Sequence, residues 1–296
     1  MKKIKIKVPA SSGNIGVGFD VLGMALNLYN EFQFEESDKF SITSNYPQFN
    51  NEEHLAYQSF KKVLQDYGEE IPTVKITIQC DIPPSRGLAS SGTCIIAGVI
   101  AALYFSGREY TPEKVIPLAS QLEGHPDNIV SQILGGITAS YDDEELFYTK
   151  YQIKDQLKAL AIVPNYTLST KDSRAVLPKE IAMKDCVSNM AQSIFLLNAF
   201  QKGDFHQLRY FLKDHLHQNF RAKHVKYFNE IIEIALEHHA YGAYLSGAGP
   251  TIMIFLPLDN EEVKKELESF LSKKEEQFQL IPLSIDDDGV QIEVGV

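Results

Sequence analysis

An alternating segment, a loop of small residues and a long apolar run follow one another in the first half of the chain. Apolar and polar residues alternate over Val74–Ile78, which predicts a half-buried strand. The apolar run Cys94–Phe105 is too long for one strand and predicts a buried helix. The chain must therefore pass from strand to helix through Pro83–Thr93, whose sequence is PPSRGLASSGT.

This loop has the composition of a phosphate site. The first N–H groups of a helix have no partner within it, and together with the positive end of the helix dipole they attract anions. Small residues allow a bulky anion to approach the backbone, and the hydroxyl groups of Ser90 and Ser91 can reach phosphate oxygens or Mg²⁺. A helix capped by Ser90 after a proline turn would have the same sequence. The loop alone leaves both interpretations open.

Several other site motifs are absent from the sequence. No Gly-Lys-Ser/Thr is present, which excludes a Walker A loop. The sequence has neither the G-x-S-x-G elbow of serine hydrolases nor the H-E-x-x-H of zinc proteases. Gly16-Val17-Gly18 lacks the third glycine of a dinucleotide fingerprint.

Length and charge limit the class of protein further. The 296 residues favour two closely packed subdomains, and a net charge of −11 without a basic block argues against a nucleic-acid partner. Three widely spaced cysteines predict reduced core thiols. The N-terminus lacks a signal-peptide core, and the longest apolar run falls short of the roughly 20 residues that span a bilayer. We expect a cytoplasmic protein that does not bind membranes.

Strands and helices interleave along the chain, which predicts an α/β or α+β class with a boundary near residues 150–158. Residues 181–240 are mainly helical, with Val187, Met190, Ile194 and Leu197 on one face. The other predicted strands are Ile4–Val8, which ends at Pro9, Tyr29–Glu35, Phe40–Thr43, Gly135–Tyr141, Ala159–Val163 and Val290–Val294. The other predicted helices are His54–Asp66, Pro112–Glu123 and Glu261–Leu271.

Three segments, in order, resemble the signatures of the GHMP kinases (galacto-, homoserine, mevalonate and phosphomevalonate kinases). They are Pro9–Asp20 (PASSGNIGVGFD), Pro83–Thr93 and Leu245–Thr251 (LSGAGPT). One motif would be weak, but three in order over residues 9–251 are a strong signal. The resemblance implies an α+β fold with a ribosomal-protein-S5-like domain over 1–155 and a ferredoxin-like α/β domain over 156–296. It also implies transfer of a phosphoryl group from ATP, with Mg²⁺, to the hydroxyl of a small molecule.

Within the superfamily, the polar segments resemble those of the homoserine kinases. A substrate with an ammonium and a carboxylate needs acidic groups at one end and arginine at the other. The resemblance implies that the N-terminal domain binds ATP and Mg²⁺ and that the C-terminal domain completes the substrate site. It assigns the substrate shell to Asn14, Asp20, His125, Asp127, Arg174 and Arg221, and the Mg²⁺ ligands to Ser91 and Glu123. It assigns ATP binding to Pro84, Ser85, Arg86, Gly87, Leu88, Ala89, Ser90, Ser91, Gly92, Thr93, Gly247 and Gly249.

The resemblance gives Asp127, Glu123 and Ser91 the catalytic roles, although an aspartate that holds an amine cannot also approach the hydroxyl freely. Three departures from the family pattern stand out. Ala89 stands where the loop usually has glycine or serine, so its methyl group should crowd the phosphates or shift the backbone. Gln218-Asn219 replaces Glu-Pro, and His54 stands near a position where asparagine often contacts the adenine.

Two alternatives remain. The first is another GHMP kinase, acting on a sugar or an isoprenoid precursor; mevalonate kinases carry a lysine near the position of Ser11, and this chain does not. The second is a member that binds a small ligand without catalysis. A homodimer is common in the family, and an acidic monomer fits the composition equally well.

Overall fold

The computed structural model describes residues 2–154 and 156–295 and contains two sheets of mainly antiparallel strands. The larger sheet has the order β11-β1-β2-β4-β3, with β5 paired to β2 and β6 paired to β5, and the smaller has the order β10-β7-β9-β8. The strands are β1 (Lys3–Gly13), β2 (Leu22–Glu36), β3 (Ser41–Ser44), β4 (Val74–Cys80), β5 (Ile137–Asp142), β6 (Leu146–Tyr151), β7 (Lys158–Pro164), β8 (Gly242–Leu245), β9 (Ile252–Leu256), β10 (Phe278–Ser284) and β11 (Gln291–Val294). The helices are α1 (Leu55–Asp66), α2 (Ser90–Phe105), α3 (Pro112–Glu123), α4 (Pro126–Leu134), α5 (Thr170–Ala175), α6 (Met183–Lys202), α7 (Leu208–Phe211), α8 (Gln218–Arg221), α9 (Phe228–Glu237) and α10 (Glu262–Leu271).

Helices and antiparallel sheets together make an α+β protein. The predicted boundary between 155 and 156 touches Asp155, which lies outside the described residues, so the division into 1–155 and 156–296 stays a prediction. Within the described part of the chain, no helix is both long and apolar enough to cross a bilayer.

The apolar run after the loop forms the centre of the first core. α2 is buried on nearly every face, as expected for a helix without a polar side. It packs against α1 at Gly98, where a Cβ would lie 2.4 Å from the Ala56 carbonyl oxygen. The fixed position of α2 determines where its N-terminus, and therefore the loop, can lie.

The first strand is longer than the sequence predicted. Pro9 was expected to end it, because proline cannot donate to a strand ladder. The strand instead continues to Gly13, and its register with β2 shifts between Pro9 and Ala10. An irregularity of this kind accommodates the missing N–H group, so the first signature motif begins inside a strand.

Four elements, α4, α5, β6 and β10, had no counterpart in the sequence prediction. α4 begins at Pro126, at the first helical position that proline tolerates, directly after the end of α3. β6 forms a hairpin with β5, and its alternating pattern in LFYTKY is short. α4 matters for function because it carries Asp127 in its first turn.

The apolar face predicted for residues 181–240 exists, but of its four residues only Leu197 packs against the core. Val187, Met190 and Ile194 of α6 are 52%, 60% and 67% exposed. The opposite side of this helix packs inside through Leu196 and Phe200. Periodicity therefore identified the helix, whereas the tertiary contacts determined which side is buried.

A chain of buried hydroxyl groups connects the two sheets. The Ser246 hydroxyl donates its one proton to the Gly87 carbonyl oxygen at 2.6 Å, because a carbonyl oxygen can only accept. Ser12 must therefore donate to Ser246 at 2.8 Å, and Tyr244 must donate to Ser12 at 2.9 Å. Burial raises the pKa of Tyr244, which keeps the proton that this direction requires. These hydrogen-bonded hydroxyl groups join all three signature motifs.

Tyr244→Phe would remove the first donor of this chain and keep the ring. We expect the free energy of unfolding, measured by urea denaturation, to fall by about 1–2 kcal/mol, since a buried hydroxyl loses its donor. The matched control is Tyr141→Phe, because the Tyr141 hydroxyl bonds Asp143 at the surface. That control should change the free energy by no more than about 0.5 kcal/mol. Equal losses of unfolding free energy in both variants would contradict a structural role for the buried hydroxyl groups.

Candidate active site

A cavity of about 570 Å³ lies where the loop before α2 meets the loop after β8. One end is apolar, with Tyr46, Phe49, Leu55 and Ile82 in its wall. The other end is polar and contains backbone of both loops. The residues at this end are Pro84–Gly87, Ala89–Ser91, Glu123, His125, Asn128 and Gly247–Gly249.

The backbone of the first loop takes left-handed conformations at alternate positions. The φ angles of Ser85, Gly87 and Ala89 are 57°, 79° and 55°. Gly87 must be glycine for a second reason, because a Cβ there would lie 2.5 Å from the Ser246 carbonyl oxygen. Ala89, whose methyl group was expected to crowd the phosphates or shift the backbone, adopts the left-handed conformation.

The start of α2 distinguishes the two interpretations of this loop. The residue that precedes the helix is Ala89, and no side chain caps it. Ser90 is the first helical residue, so it does not serve as the cap. The N–H groups of the first turn thus stay open toward the polar end of the cavity, as an anion site requires.

The predicted ATP-binding residues divide into two groups. Pro84, Ser85, Arg86, Gly87, Ala89, Ser90, Ser91, Gly247 and Gly249 line the cavity. Leu88, Gly92 and Thr93 are buried behind the loop. The Thr93 hydroxyl donates to Ser90 O at 2.7 Å and accepts from Asn30 Nδ2 at 2.9 Å, which holds the helix start in place.

The Arg86 side chain holds the loop against the smaller sheet. Its Nε donates to Pro164 O, its Nη1 to Pro84 O and its Nη2 to Asn165 O, each at 2.9 Å. Pro164 ends β7, so the guanidinium group joins the two halves of the molecule. With these donors occupied, we expect a structural role for Arg86.

Ser91 and Glu123 form the only polar pair predicted to hold a metal ion. The Ser91 hydroxyl donates to Glu123 Oε1 at 2.8 Å. Burial raises the pKa of Glu123, and the bond from Ser91 opposes this shift. Within residues 2–154 and 156–295, no group of three or more His, Cys, Asp or Glu side chains could hold a metal. One carboxylate and one hydroxyl suit Mg²⁺, which binds few protein ligands and takes the rest from phosphates and water.

A cluster of charged side chains lies beside the loop after β8, which contains Gly247 and Gly249. Asp20 Oδ1 accepts from Arg174 Nη2 at 2.8 Å, in a pair that remains partly exposed. The backbone N–H of Asp20 donates to Asn14 Oδ1 at 3.0 Å, and Asn14 Nδ2 donates to Gly247 O at 3.0 Å. The predicted shell residues Asn14, Asp20 and Arg174 are thus brought together.

Arg221 enters the same cluster from the smaller domain and is almost fully buried. It donates to Ser173 O at 3.1 Å, to Gly247 O at 3.2 Å and to His217 Nδ1 at 3.3 Å. Burial and the charge of Arg174 lower the pKa of Arg221.

Sequence reasoning missed the supports of this arginine. An arginine can only donate, so His217 Nδ1 accepts, and Nε2–H donates to Gly16 O at 2.7 Å. Burial lowers the pKa of His217, which favours this neutral form. The Phe19 ring stacks on His217 and lies 5.2 Å from the Arg221 guanidinium carbon.

Asp127 is the most perturbed carboxyl group of the site. It lies in the first turn of α4 and is 4% exposed. Burial and the charge of Asp20 raise its pKa from 3.8 to about 7. It does not line the cavity, whereas His125 and Asn128 of the same segment do. Burial also lowers the pKa of His125, which makes no capping bond to α4.

At the two other departures from the family pattern, His54 and Gln218 each accept a hydrogen bond from a backbone N–H group. His54 Nδ1 accepts from Ala56 N at 3.2 Å and thereby caps α1. Burial lowers the pKa of His54, so its neutral ring has Nε2–H as a donor at the cavity wall. Gln218 Oε1 accepts from Leu245 N at 2.7 Å, a bond that a glutamate oxygen could equally make.

The raised pKa of Asp127 predicts a pH-dependent stability. Its folded-state pKa of about 7 exceeds its ordinary 3.8, so between these values the folded protein holds a proton that the unfolded chain has lost. This group should therefore lower the free energy of unfolding as pH rises from about 4 to about 7. Asp127→Asn should remove this pH-dependent loss of stability, so the melting temperature of the variant should rise relative to that of wild type toward pH 8. A melting-temperature difference between wild type and variant that does not change with pH would contradict the raised pKa of Asp127. The control is Asp66→Asn, because Asp66 pairs with Lys62 at the surface.

Similarity to known proteins extends over both halves of the chain. Residues 54–136 match the family model of the GHMP kinases N terminal domain, and residues 196–274 match that of the GHMP kinases C terminal. A curated homoserine kinase from Clostridium beijerinckii is 39% identical over 295 residues, 99% of each chain. Another from Clostridium botulinum is 39% identical over 291 residues, 98% of each chain.

A solved structure agrees with these matches. The crystal structure of homoserine kinase from Cytophaga hutchinsonii has a TM-score of 0.87 and 25% identity, and covers 98% of this chain and 97% of that one. The predicted two-domain α+β fold is thereby confirmed.

Proposed function

The chain belongs to the GHMP kinases, and we propose that it transfers the γ-phosphoryl group of ATP to the side-chain hydroxyl of L-homoserine. The products would be O-phospho-L-homoserine and ADP, in the biosynthesis of threonine. One observation carries the choice of substrate. Two carboxyl groups, of Asp20 and Asp127, and two guanidinium groups, of Arg174 and Arg221, lie together beside the polar end of the cavity.

This cluster has the charges that an amino acid needs. The carboxyl groups can bind the ammonium, and the guanidinium groups can bind the carboxylate through paired N–H donors. Asn14 and Arg221 both donate hydrogen bonds to the Gly247 carbonyl oxygen, which holds the two side chains in the cluster. A sugar carries neither an ammonium nor a carboxylate and would make no ion pair with these four groups, which argues against that alternative.

The nucleotide would lie in the cavity with its phosphates at the polar end. The open N–H groups at the start of α2 and the backbone of Gly247–Gly249 would bind the phosphates. The base would lie against the apolar wall, where His54 can donate a hydrogen bond from Nε2. Mg²⁺, bound by Ser91 and Glu123, would neutralise charge on the phosphates.

A general base is not required by this arrangement. A pKa of about 7 would suit Asp127 to take a proton. An ammonium group bound beside it would lower that pKa and make the carboxylate a weaker base. Phosphoryl transfer depends mainly on positioning and charge neutralisation, so we propose direct attack by a well-placed hydroxyl.

The proposal is tested by a coupled assay of ADP release with L-homoserine, threonine, serine, mevalonate and galactose as acceptors. We expect L-homoserine to give the highest kcat/KM. Preference for mevalonate or galactose would support another GHMP kinase. Ligand binding without ADP release from any acceptor would support a non-catalytic member.

Asp127→Asn distinguishes an amine ligand from a base. As an amine ligand, Asp127 contributes to binding, so we expect the KM for L-homoserine to rise at least about tenfold while the KM for ATP stays near that of wild type. Steady-state kinetics from pH 5 to 9 measure both quantities. A variant that loses the acidic limb of the pH–rate profile with an unchanged KM would contradict this role and favour a base.

Glu123→Ala tests the proposed Mg²⁺ ligand. We expect turnover to fall by a factor of about 100 or more, with a steeper requirement for Mg²⁺, because the metal would lose its one carboxylate from the protein. Circular dichroism should show an unchanged fold. Glu113→Ala, on the exposed first turn of α3, is the control. Wild-type dependence on Mg²⁺ in the Glu123 variant would remove this residue from the metal site.

Three further statements stay predictions: the domain boundary, the cytoplasmic location and the homodimer. The exposed apolar face of α6 gives self-association a surface, with Met183, Val187, Met190 and Ile194 along one side.

A further inference from the structure

Gln132 carries a buried amide in the last turn of a mostly buried helix. It lies in α4 beside Ile129 and Ile133 and is fully shielded from solvent. Its Nε2 donates to Pro9 O at 2.9 Å and to Ala89 O at 3.0 Å. Both acceptors are carbonyl oxygens, which fixes the orientation of the amide. One side chain thus joins α4 to strand β1 and to the phosphate loop.

The other end of this amide has no favourable contact. Gln132 Oε1 is buried and has no hydrogen-bond partner among the described residues. It lies against Gly92, where a Cβ would be 2.3 Å away. A buried carbonyl oxygen without a donor destabilises the fold, and an apolar side chain at this position would avoid that cost. The two hydrogen bonds that the amide donates offset this cost.

One of these bonds fixes the strained residue of the loop. Ala89 has a φ of 55°, a conformation that glycine adopts readily and alanine does not. Its carbonyl oxygen accepts from Gln132, on the protein side of the loop. In a trans peptide the carbonyl and the next N–H point in opposite directions, so the same bond directs the Ser90 N–H away from Gln132. Ala89 and Ser90 both line the cavity, and the Ser90 N–H has no partner among the described residues.

We propose that Gln132 is a positioning residue for the nucleotide phosphates. It holds Ala89 in the left-handed conformation and directs the Ser90 N–H at the triphosphate. This inference rests on the proposed function, because it takes the cavity as the ATP site, and it adds the residue that keeps the phosphate loop in its binding conformation despite an alanine at the strained position.

Gln132→Met tests the proposal, since methionine has a similar length and no donor. We expect the KM for ATP and the dissociation constant for ADP, measured by calorimetry, to rise about tenfold, while the KM for L-homoserine stays within about twofold. Partial reversible unfolding would raise the apparent constants of both substrates by the same factor, so it would not imitate a rise that is confined to ATP and ADP. Gln192→Met is the matched control, because Gln192 also binds backbone through its amide, at Lys213. That control should leave ADP affinity unchanged.

Ala89→Gly tests whether Gln132 acts through Ala89. Glycine adopts the left-handed conformation without strain, so in that background Gln132→Met should weaken ADP binding by a clearly smaller factor. An equal factor in both backgrounds would overturn the route through Ala89. ADP affinity within twofold of wild type in Gln132→Met would overturn the proposal itself, as would equal rises in the KM of both substrates.

The experiment separates this inference from the proposed reaction. Calorimetry with ADP needs no acceptor, so a wild-type protein that binds ADP and fails to phosphorylate L-homoserine would contradict only the substrate assignment. A wild-type protein that binds no ADP would overturn both.

Discussion

The close contact between Gly87 and the loop after β8 determines the geometry of the site. A side chain at Gly87 would meet the Ser246 carbonyl oxygen at 2.5 Å, so the two backbones can touch only because glycine is present. Ser246 then donates to Gly87 O at 2.6 Å, and Gly247 N donates to Gly13 O at 3.0 Å. Three segments that are far apart in the sequence thereby meet at one point. The carbonyl of Gly247 also accepts from Asn14 and Arg221, so the proposed substrate cluster depends on the same contact.

Burial gives the groups around this contact different electrostatic properties. Asp127 has a raised pKa because it is desolvated beside the charge of Asp20. Arg221 is equally buried, and its Nε and Nη1 donors are occupied by two backbone carbonyls and by the neutral ring of His217, whereas Nη2 has no partner among the described residues. The cluster thus holds a carboxyl group that readily takes a proton and an arginine that stays oriented. Such an arrangement is stable without substrate and complementary to a ligand that carries both charges.

The sequence predicted the local parts of this structure well. The bounds of α3 agree with a threonine and a proline at the predicted start, and the loop of small residues lies, as predicted, between a strand and a buried apolar helix. Contacts that are distant in sequence could not be predicted in this way. Gln132 acts on Pro9, 123 residues away, and on Ala89, 43 residues away, and nothing in the local pattern of α4 indicates either partner. Likewise, the apolar face of α6 was visible in the sequence, but its exposure depends on which side packs against β7 and its neighbours.

Under the proposed function, the ion pair between Asp20 and Arg174 would select ligands by their net charge. In the empty site each group neutralises the other at 2.8 Å. A ligand with only a carboxylate would attract the arginine and leave the aspartate unpaired, and a ligand with only an amine would do the reverse. A zwitterion would separate the pair and give each member a new partner, so the total charge of the site would be conserved on binding. Selectivity of this kind comes from exchanging partners, and it works against singly charged metabolites even when they fit the cavity by shape.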